Sequence, residues 1–293
     1  MKYVYLCSAK LYTMSGLPIS VIVSTYNSED YLSKVLESYK HQDYDNFEVI
    51  VADDGSKETT KQLIEKFAAD YPVNLRHIWH EDKGYRRQEL LNKCIVQTEY
   101  DYILMTDGDC IARPDFVSTH AKYAEKGFFL SGGYCKLDKP TSDAIALSDI
   151  ENQNCFKPKW LKKQGVLGKK QQLKLSVGDK LANFLDVVTP TGATFNNCNS
   201  SAWKSDLIAI NGYDERMQYG GPDRELGERL VNLGIKTKQI RYKAICLHLD
   251  HPRGYKTKES LDRNLAIRRN TKYNKVIKTP YGIEKLEDTE KNN

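Results

Sequence analysis

The sequence predicts an α/β fold: a doubly wound, mostly parallel sheet with a smaller antiparallel part. Two observations predict it. Short apolar runs rich in β-branched residues recur at 19–23, 47–52 and 102–105, with segments of helical periodicity between them. Each run ends in a polar cluster: Thr25-Tyr26-Asn27, Asp53-Asp54-Gly55-Ser56 and Asp107-Gly108-Asp109. In such sheets ligands bind beyond the carboxyl ends of the strands, and crossovers are right-handed.

Ile19–Val23 reads as the first buried strand. Asn27 or Ser28 then caps a helix, with Glu29 and Asp30 in its first turn and Tyr31, Leu32, Val35, Leu36 and Tyr39 at helical spacing. Phe47–Ala52 is the second strand. Glu58–Tyr71 is a helix whose inner face carries Leu63, Ile64, Phe67 and Ala68. Val73–Trp79 is a third strand, 80–88 a polar loop and Glu89–Val96 a short helix. The central strand follows at Tyr102–Met105. Pro114 suits the first turn of a helix reaching Ala124. Phe128–Gly132 reads as an antiparallel strand after the crossover. Residues 136–190, with Lys157-Pro-Lys-Trp160 and a basic, Gln-containing stretch from Lys162 to Lys174, predict broken helices and a mobile loop. A late strand begins at Lys243 and ends at His248 to Pro252.

The composition is that of a soluble enzyme. Charged residues are 28%, hydrophobic ones 40%, and the net charge of +5 favours anionic ligands without demanding nucleic acid. No run approaches the ~20 apolar residues of a membrane span. Residues 1–18 lack the continuous apolar core of a signal peptide. Seven scattered cysteines without a Cys-x-x-Cys predict reduced thiols in cytoplasm rather than a disulfide scaffold or a zinc site.

The chemistry centres on Asp107 and Asp109. Residues two apart on a strand share a face, and two carboxylates so placed repel unless a cation or donors lie between them. Mn²⁺ or Mg²⁺ accepts such oxygens together with substrate phosphates. The sequence has neither Gly-x-Gly-x-x-Gly after the first strand nor a Gly-x-x-x-x-Gly-Lys loop. Phosphates would therefore need a metal and basic side chains, and Lys83, Arg86 and Arg87 beside Gly84 are candidates. Near the other end, Pro222 fits the first position of a helix and places Asp223 in its first turn, where the helix terminus favours an ionised carboxylate. The residues alone also admit a purely helix-stabilising Asp223. Gly220-Gly221 before it permits close approach of a substrate. Beyond 254 the chain is basic, with Leu261, Leu265 and Ile267 sparse. It reads as a solvated helix that an anionic membrane could attract.

Val23-Ser-Thr-Tyr-Asn27, Val51-Ala-Asp-Asp-Gly-Ser56 and Thr106-Asp-Gly-Asp109 resemble the inverting nucleotide-sugar glycosyltransferases of the GT-A fold, in the manner of glycosyltransferase family 2, over 19–253. Asn211-Gly-Tyr-Asp-Glu215 followed by Gly220-Gly-x-Asp223 is similar to the galactosyltransferase-like segment that carries the catalytic base, with Pro222 where a glutamate is common. The resemblance implies Asp53, with Asp54 close by, on uracil, Asp107 on ribose, Asp109 on the metal and Asp223 as base. It implies His248 as a further metal ligand, with His251 in reserve. Thr25, Tyr26, Asn27, Gly84, Arg86 and Arg87 complete the expected nucleotide site; Trp203, Tyr219 and Gly221 are expected near the acceptor.

The implied protein is a single GT-A domain over 1–280. It divides into a nucleotide-binding half (19–135), an insertion (136–190) and an acceptor half (191–253), with a disordered tail from 281. The implied reaction is transfer from a UDP-sugar to a glycan or lipid-linked glycan in bacterial surface polysaccharide or lipopolysaccharide synthesis. A haloacid-type phosphatase and a non-catalytic carbohydrate- or nucleotide-sugar-binding protein are the alternatives. The phosphatase motif would open the fold on its first strand. The binding module would have no reason to keep Asp53, Asp107, Asp109 and Asp223 together.

Overall fold

The computed structural model describes residues 16–190, 192, 194–252 and 256–285. The expectations for 1–15 and for the tail 286–293 lie outside the described residues. The chain alternates as predicted through β1 (Ile19–Thr25), α1 (Glu29–Lys40), β2 (Phe47–Asp53), α2 (Glu58–Ala68), β3 (Leu75–Trp79), α3 (Arg87–Gln97) and β4 (Tyr102–Asp107). β5 (Cys110–Ala112), α4 (Phe116–Tyr123) and β6 (Phe128–Lys136) follow.

These strands and two later ones, β7 (Ser200–Trp203) and β8 (Lys236–His248), form one sheet in the order β3-β2-β1-β4-β7-β6-β8-β5. β3, β2, β1 and β4 are parallel. β7 runs antiparallel to β4 and β6, β5 runs antiparallel to β8, and β6 and β8 are parallel. β6 is thus antiparallel to one neighbour only, and it runs four residues beyond Gly132, past a register shift between Gly132 and Gly133.

Both faces of the sheet are covered, so β1 and β2 are apolar on both sides, as a parallel sheet between helices requires. Val21, Val23, Val49, Val51 and Leu104 pack against Leu32, Val35, Leu36 and Tyr39 of α1 and Ile64 of α2. Ile22, Ile50, Ile103 and Met105 pack on the other face against Leu90, Leu91 and Ile95 of α3 and against Leu226 and Leu230. On α2 the inner face is narrower than the sequence suggests: Ile64 is buried, Leu63 and Phe67 are half-buried and Ala68 is exposed.

Residues 139–188 fold into short helices: α5 (Lys139–Ala144), α6 (Leu147–Glu151), a 3₁₀ turn (Asn154–Phe156), α7 (Pro158–Gln164), α8 (Lys169–Ser176) and α9 (Asp179–Val188). α10 (Lys204–Ala209), α11 (Pro222–Asn232) and α12 (Lys258–Tyr273) complete the described helices. α12 is solvated along most of its surface, as expected, but one polar stripe is anchored. It buries Ser260, Asn264 and Thr271, and Asn264 donates to the carbonyls of Gln218, Tyr219 and Gly220. Its contacts are polar, so an apolar pattern could not reveal them. Residues 281–285, expected within the tail, are bonded to the domain: the Glu284 N–H donates to Asn211 at 2.8 Å, and Tyr281 bridges to Lys285.

Candidate active site

The carboxyl ends of β1, β2 and β4 are joined by backbone hydrogen bonds. The Asp54 N–H donates to the Thr25 carbonyl at 3.0 Å and the Gly108 N–H to the Ser24 carbonyl at 2.8 Å. A Cβ on Gly108 would lie 2.9 Å from that same carbonyl, so this crossing requires glycine. Beyond these ends opens a cleft of about 1920 Å³. Its walls include Thr25, Tyr26, Asn27, Asp54, Gly84, Arg87, Asp107, Asp109, Tyr219, Gly221, Asp223, His248 and His251. The sequence's candidates from distant segments therefore share one cavity.

Four candidates do not line it, and one of them, Lys83, is exposed and pairs with Glu81 at 2.9 Å. Asp53 is fully buried beneath the wall, where Oδ1 accepts the Ser56 N–H at 2.8 Å and Oδ2 pairs with His77 at 2.9 Å. Successive side chains turn opposite ways at a strand end, so Asp54 faces the cleft instead. Arg86 gives its guanidinium to Glu89 and to the Glu81 carbonyl; only its backbone N–H reaches Asp54, at 3.2 Å. Trp203 pairs with Tyr102 in the antiparallel register, at the end of β4 opposite Asp107. It stacks edge-on against Tyr102 and beneath the Lys126 ammonium. The segment leading to Trp203 does reach the site, but through Asn196, Asn197 and Cys198.

Asp107 is held by Arg87, which also donates to Ser24 Oγ at 2.7 Å, while Ser24 Oγ donates to Asp107 at 3.1 Å. Burial disfavours the Arg87 charge, yet Asp107, Tyr85 and Tyr213 more than offset this and its pKa is raised. Asp54 is shifted up, chiefly by burial, against the hydrogen bond from His80 at 2.7 Å.

Asp109 is the second carboxylate. Burial acts to raise its pKa, but the hydrogen bond from His251 and the neighbouring imidazoles win, and it lies below the usual carboxylate range. Asp109, Cys110 and His248 present ligand atoms within 4.8 Å of one another. The Cys110 thiol is fully buried and its pKa is pushed well up by that burial, so it stays protonated and is a poor ligand for a hard cation. The donor set that fits a divalent cation is thus carboxylate plus imidazole. His248 and His251 are both present; their rings stack 5.5 Å apart at 18°.

Asp223 enters the cleft from the start of α11. Gly220 and Gly221 have φ of +117° and +89°, a left-handed turn that glycine adopts freely, and Pro222 then starts α11. Asp223 accepts the Arg224 N–H at 2.8 Å and the Asn197 N–H at 3.4 Å. Its pKa is raised, first by burial and also by Asp107, against the lowering of those N–H groups and Arg87. The expected effect of the helix terminus is therefore outweighed by desolvation. Beneath it, Glu225 and Arg229 form a buried pair at 2.8 Å, and Arg229 also donates to the carbonyls of Ile210 and Gly212.

Several cleft residues escaped the sequence reading. Ser24 bridges Arg87 and Asp107. Asn197 carries a buried Nδ2 without a partner; it lies in the cleft wall as unused hydrogen-bonding capacity, as does Oγ1 of Thr25, which the sequence did single out. Tyr134 and Lys136 line the cleft from the end of β6. The alternation from Gly132 through Tyr134 to Lys136, which continues the strand past Gly132, is the sequence signal for them.

The chain matches the model of Glycosyl transferase family 2 over residues 20–171 and that of the N-terminal domain of galactosyltransferase over 185–252. It is 28% identical over 285 residues to a Bacillus subtilis protein named "Uncharacterized glycosyltransferase YfnE", covering 88% of this chain and 71% of that one. It is 26% identical over 262 residues to a chondroitin synthase of Escherichia coli, covering 85% of this chain and 37% of that one. Staphylococcus aureus TarS 1-349 in complex with UDP-GlcNAc is similar in structure, with a TM-score of 0.60 at 17% identity, over 89% of this chain and 70% of that one. A Pyrobaculum calidifontis mannosyltransferase in complex with GDP-Man and Mn²⁺ has a TM-score of 0.54 at 18% identity, over 92% and 68%. At such identities the structural likeness is one of fold.

Proposed function

The chain belongs to glycosyl transferase family 2 and is a glycosyltransferase of the GT-A fold, and from this premise we propose that it moves a sugar from a UDP-sugar to a hydroxyl of a glycan acceptor with inversion. The observation that carries the proposal is the meeting of Asp107, Asp109 and Asp223 in one cleft. UDP is preferred because the TarS neighbour was solved with UDP-GlcNAc. The acceptor proposed is a glycan or lipid-linked glycan of a bacterial surface polysaccharide or lipopolysaccharide; the similarity to a chondroitin synthase supports a polysaccharide.

Asp109 and His248 would hold Mn²⁺ or Mg²⁺, with His251 beside them, and the imidazole favours Mn²⁺. When bound, the cation neutralises the charge that builds on the departing diphosphate. The rest of the reaction falls to the chain's own side chains. Thr25, Tyr26, Asn27 and Asp54 border the nucleotide, and Asp107, fixed by Arg87 and Ser24, accepts a ribose hydroxyl. Asp223 accepts the proton of the acceptor hydroxyl as its oxygen attacks the anomeric carbon. Attack opposite the leaving diphosphate inverts that centre in one displacement. Burial suits Asp223 to this task, because a raised pKa makes a carboxylate a stronger base.

The test is nucleotide release from a panel of UDP-sugars and GDP-mannose with Mn²⁺, followed by NMR of the product's anomeric configuration. Release from one or more UDP-sugars, with inversion, is the expected result. Release from GDP-mannose alone would overturn the donor; retention of configuration would remove Asp223 as base in a single displacement.

A further inference from the structure

Helix α9 presents its apolar side to solvent. Leu181, Phe184, Val187 and Val188 are 50%, 61%, 83% and 49% exposed. At 3.6 residues per turn they share an arc of about 120°. The inward side carries Ala182 and Asp186, both buried. Asp186 fixes this rotation: it pairs with Lys243 at 2.6 Å and accepts the Tyr242 N–H at 3.1 Å, both from β8. A surface helix ordinarily turns its apolar stripe to the core, and here a buried charge pair holds the opposite orientation.

The chain leading into α9 is basic. From Lys157 to Pro190 the chain has eight lysines and two aspartates, and one of those aspartates, Asp186, is already matched by Lys243. Lys162, Lys163, Lys169, Lys170 and Lys180 are exposed, and Val166 stands 78% exposed among them. A second copy of this chain docked on the same arc would set these lysines against one another. An anionic bilayer complements both features: apolar side chains enter the acyl boundary while lysines meet lipid phosphates. Among the described residues no helix is long and apolar enough to cross a membrane, so such contact would be peripheral. The basic C-terminal helix is the poorer candidate, since Leu265 is exposed while Leu261 and Ile267 are half-buried.

We propose that α8 and α9 dock the protein on the surface of a membrane that contains anionic lipid. Lys170, Leu173, Lys174, Thr189 and Pro190 line the cleft, so the docked face borders the cleft mouth. A lipid-linked acceptor would reach Asp223 from the bilayer surface; that orientation rests on the proposed function, whereas the docking does not.

The test is co-sedimentation of the full chain with vesicles of phosphatidylcholine alone or with phosphatidylglycerol added. Binding should require phosphatidylglycerol and weaken with salt. The Phe184→Asp, Val187→Asp double variant should lose at least tenfold in binding, and Lys169→Gln and Lys180→Gln about fivefold each, with unchanged thermal midpoints. No binding to phosphatidylglycerol vesicles, or binding that ignores these variants, would overturn the proposal. So would a concentration-dependent dimer in sedimentation velocity that Phe184→Asp dissolves. A failed donor reading would appear separately, as no nucleotide release, with vesicle binding intact.

Discussion

The His251 imidazole donates to the Asp109 carboxylate at 2.9 Å while its ring stacks on His248 at 18°. Two imidazoles thus flank the carboxylate proposed to hold a cation. Asp109→Ala should abolish Mn²⁺-dependent UDP binding in calorimetry. His248→Ala and His251→Ala should each weaken it by about 10–100-fold, as loss of a ligand or of its support does. Normal binding in both histidine variants would leave Asp109 without imidazole help.

Asp223 faces the cleft from α11 with both carboxylate oxygens accepting backbone N–H groups. Asp223→Asn keeps the shape and removes the base. Sugar transfer should fall by about 10²–10⁴-fold while UDP affinity is retained. An equal loss of donor affinity would move Asp223 from chemistry to binding.

Burial raises the Asp223 pKa, which fixes two signs. Transfer needs the ionised form, so the acid limb of kcat/KM, which reports the free enzyme, should lie above the ordinary aspartate value of about 4, and a limb at or below it would contradict the assignment. For stability the sign reverses. A carboxyl whose folded pKa exceeds its unfolded one favours the fold below the unfolded value, and that contribution is lost as pH rises through the folded value. Asp223→Asn should therefore melt no lower than the parent at neutral pH, and its advantage should shrink in acid.

Arg87 neutralises Asp107 and tethers it to Ser24. Arg87→Ala leaves that carboxylate near Asp223 without its counter-charge. Loss of a charged hydrogen bond of this kind costs about 1.5–3 kcal/mol. The thermal midpoint and UDP affinity should both drop. Unchanged donor affinity would show that Asp107 needs no such tether.

Glu225 and Arg229 are both buried, and Thr271 donates to Glu225 at 2.8 Å. Glu225→Ala strands the Arg229 charge in the interior. The expected loss is about 3–5 kcal/mol, read by urea unfolding, whereas a loss under 1 kcal/mol would mean that the backbone carbonyls alone satisfy Arg229.

Much of the fold was readable because a parallel sheet leaves plain marks. β1, β2 and β4 are apolar on both faces, and their ends are polar because water or ligand waits there. Asp107, Asp109 and Asp223 were recognisable from their local motifs. Arg86 and Trp203 were not separable from their neighbours, because the choice between facing the cleft and facing away turns on a partner elsewhere: Glu89 for one, the register with Tyr102 for the other.

The sequence by itself determined the alternation of strands and helices, the three polar strand ends and the Gly-Gly-Pro-Asp entry to α11, since each depends on residues close in the chain. Tertiary structure decided the rest. It turned Asp54 rather than Asp53 into the cleft, brought His251 onto Asp109, raised the Asp223 pKa by burial and faced the apolar side of α9 outward through the Asp186–Lys243 pair. Each of these rests on contacts between distant segments, and side-chain direction and desolvation are properties of such contacts rather than of local pattern.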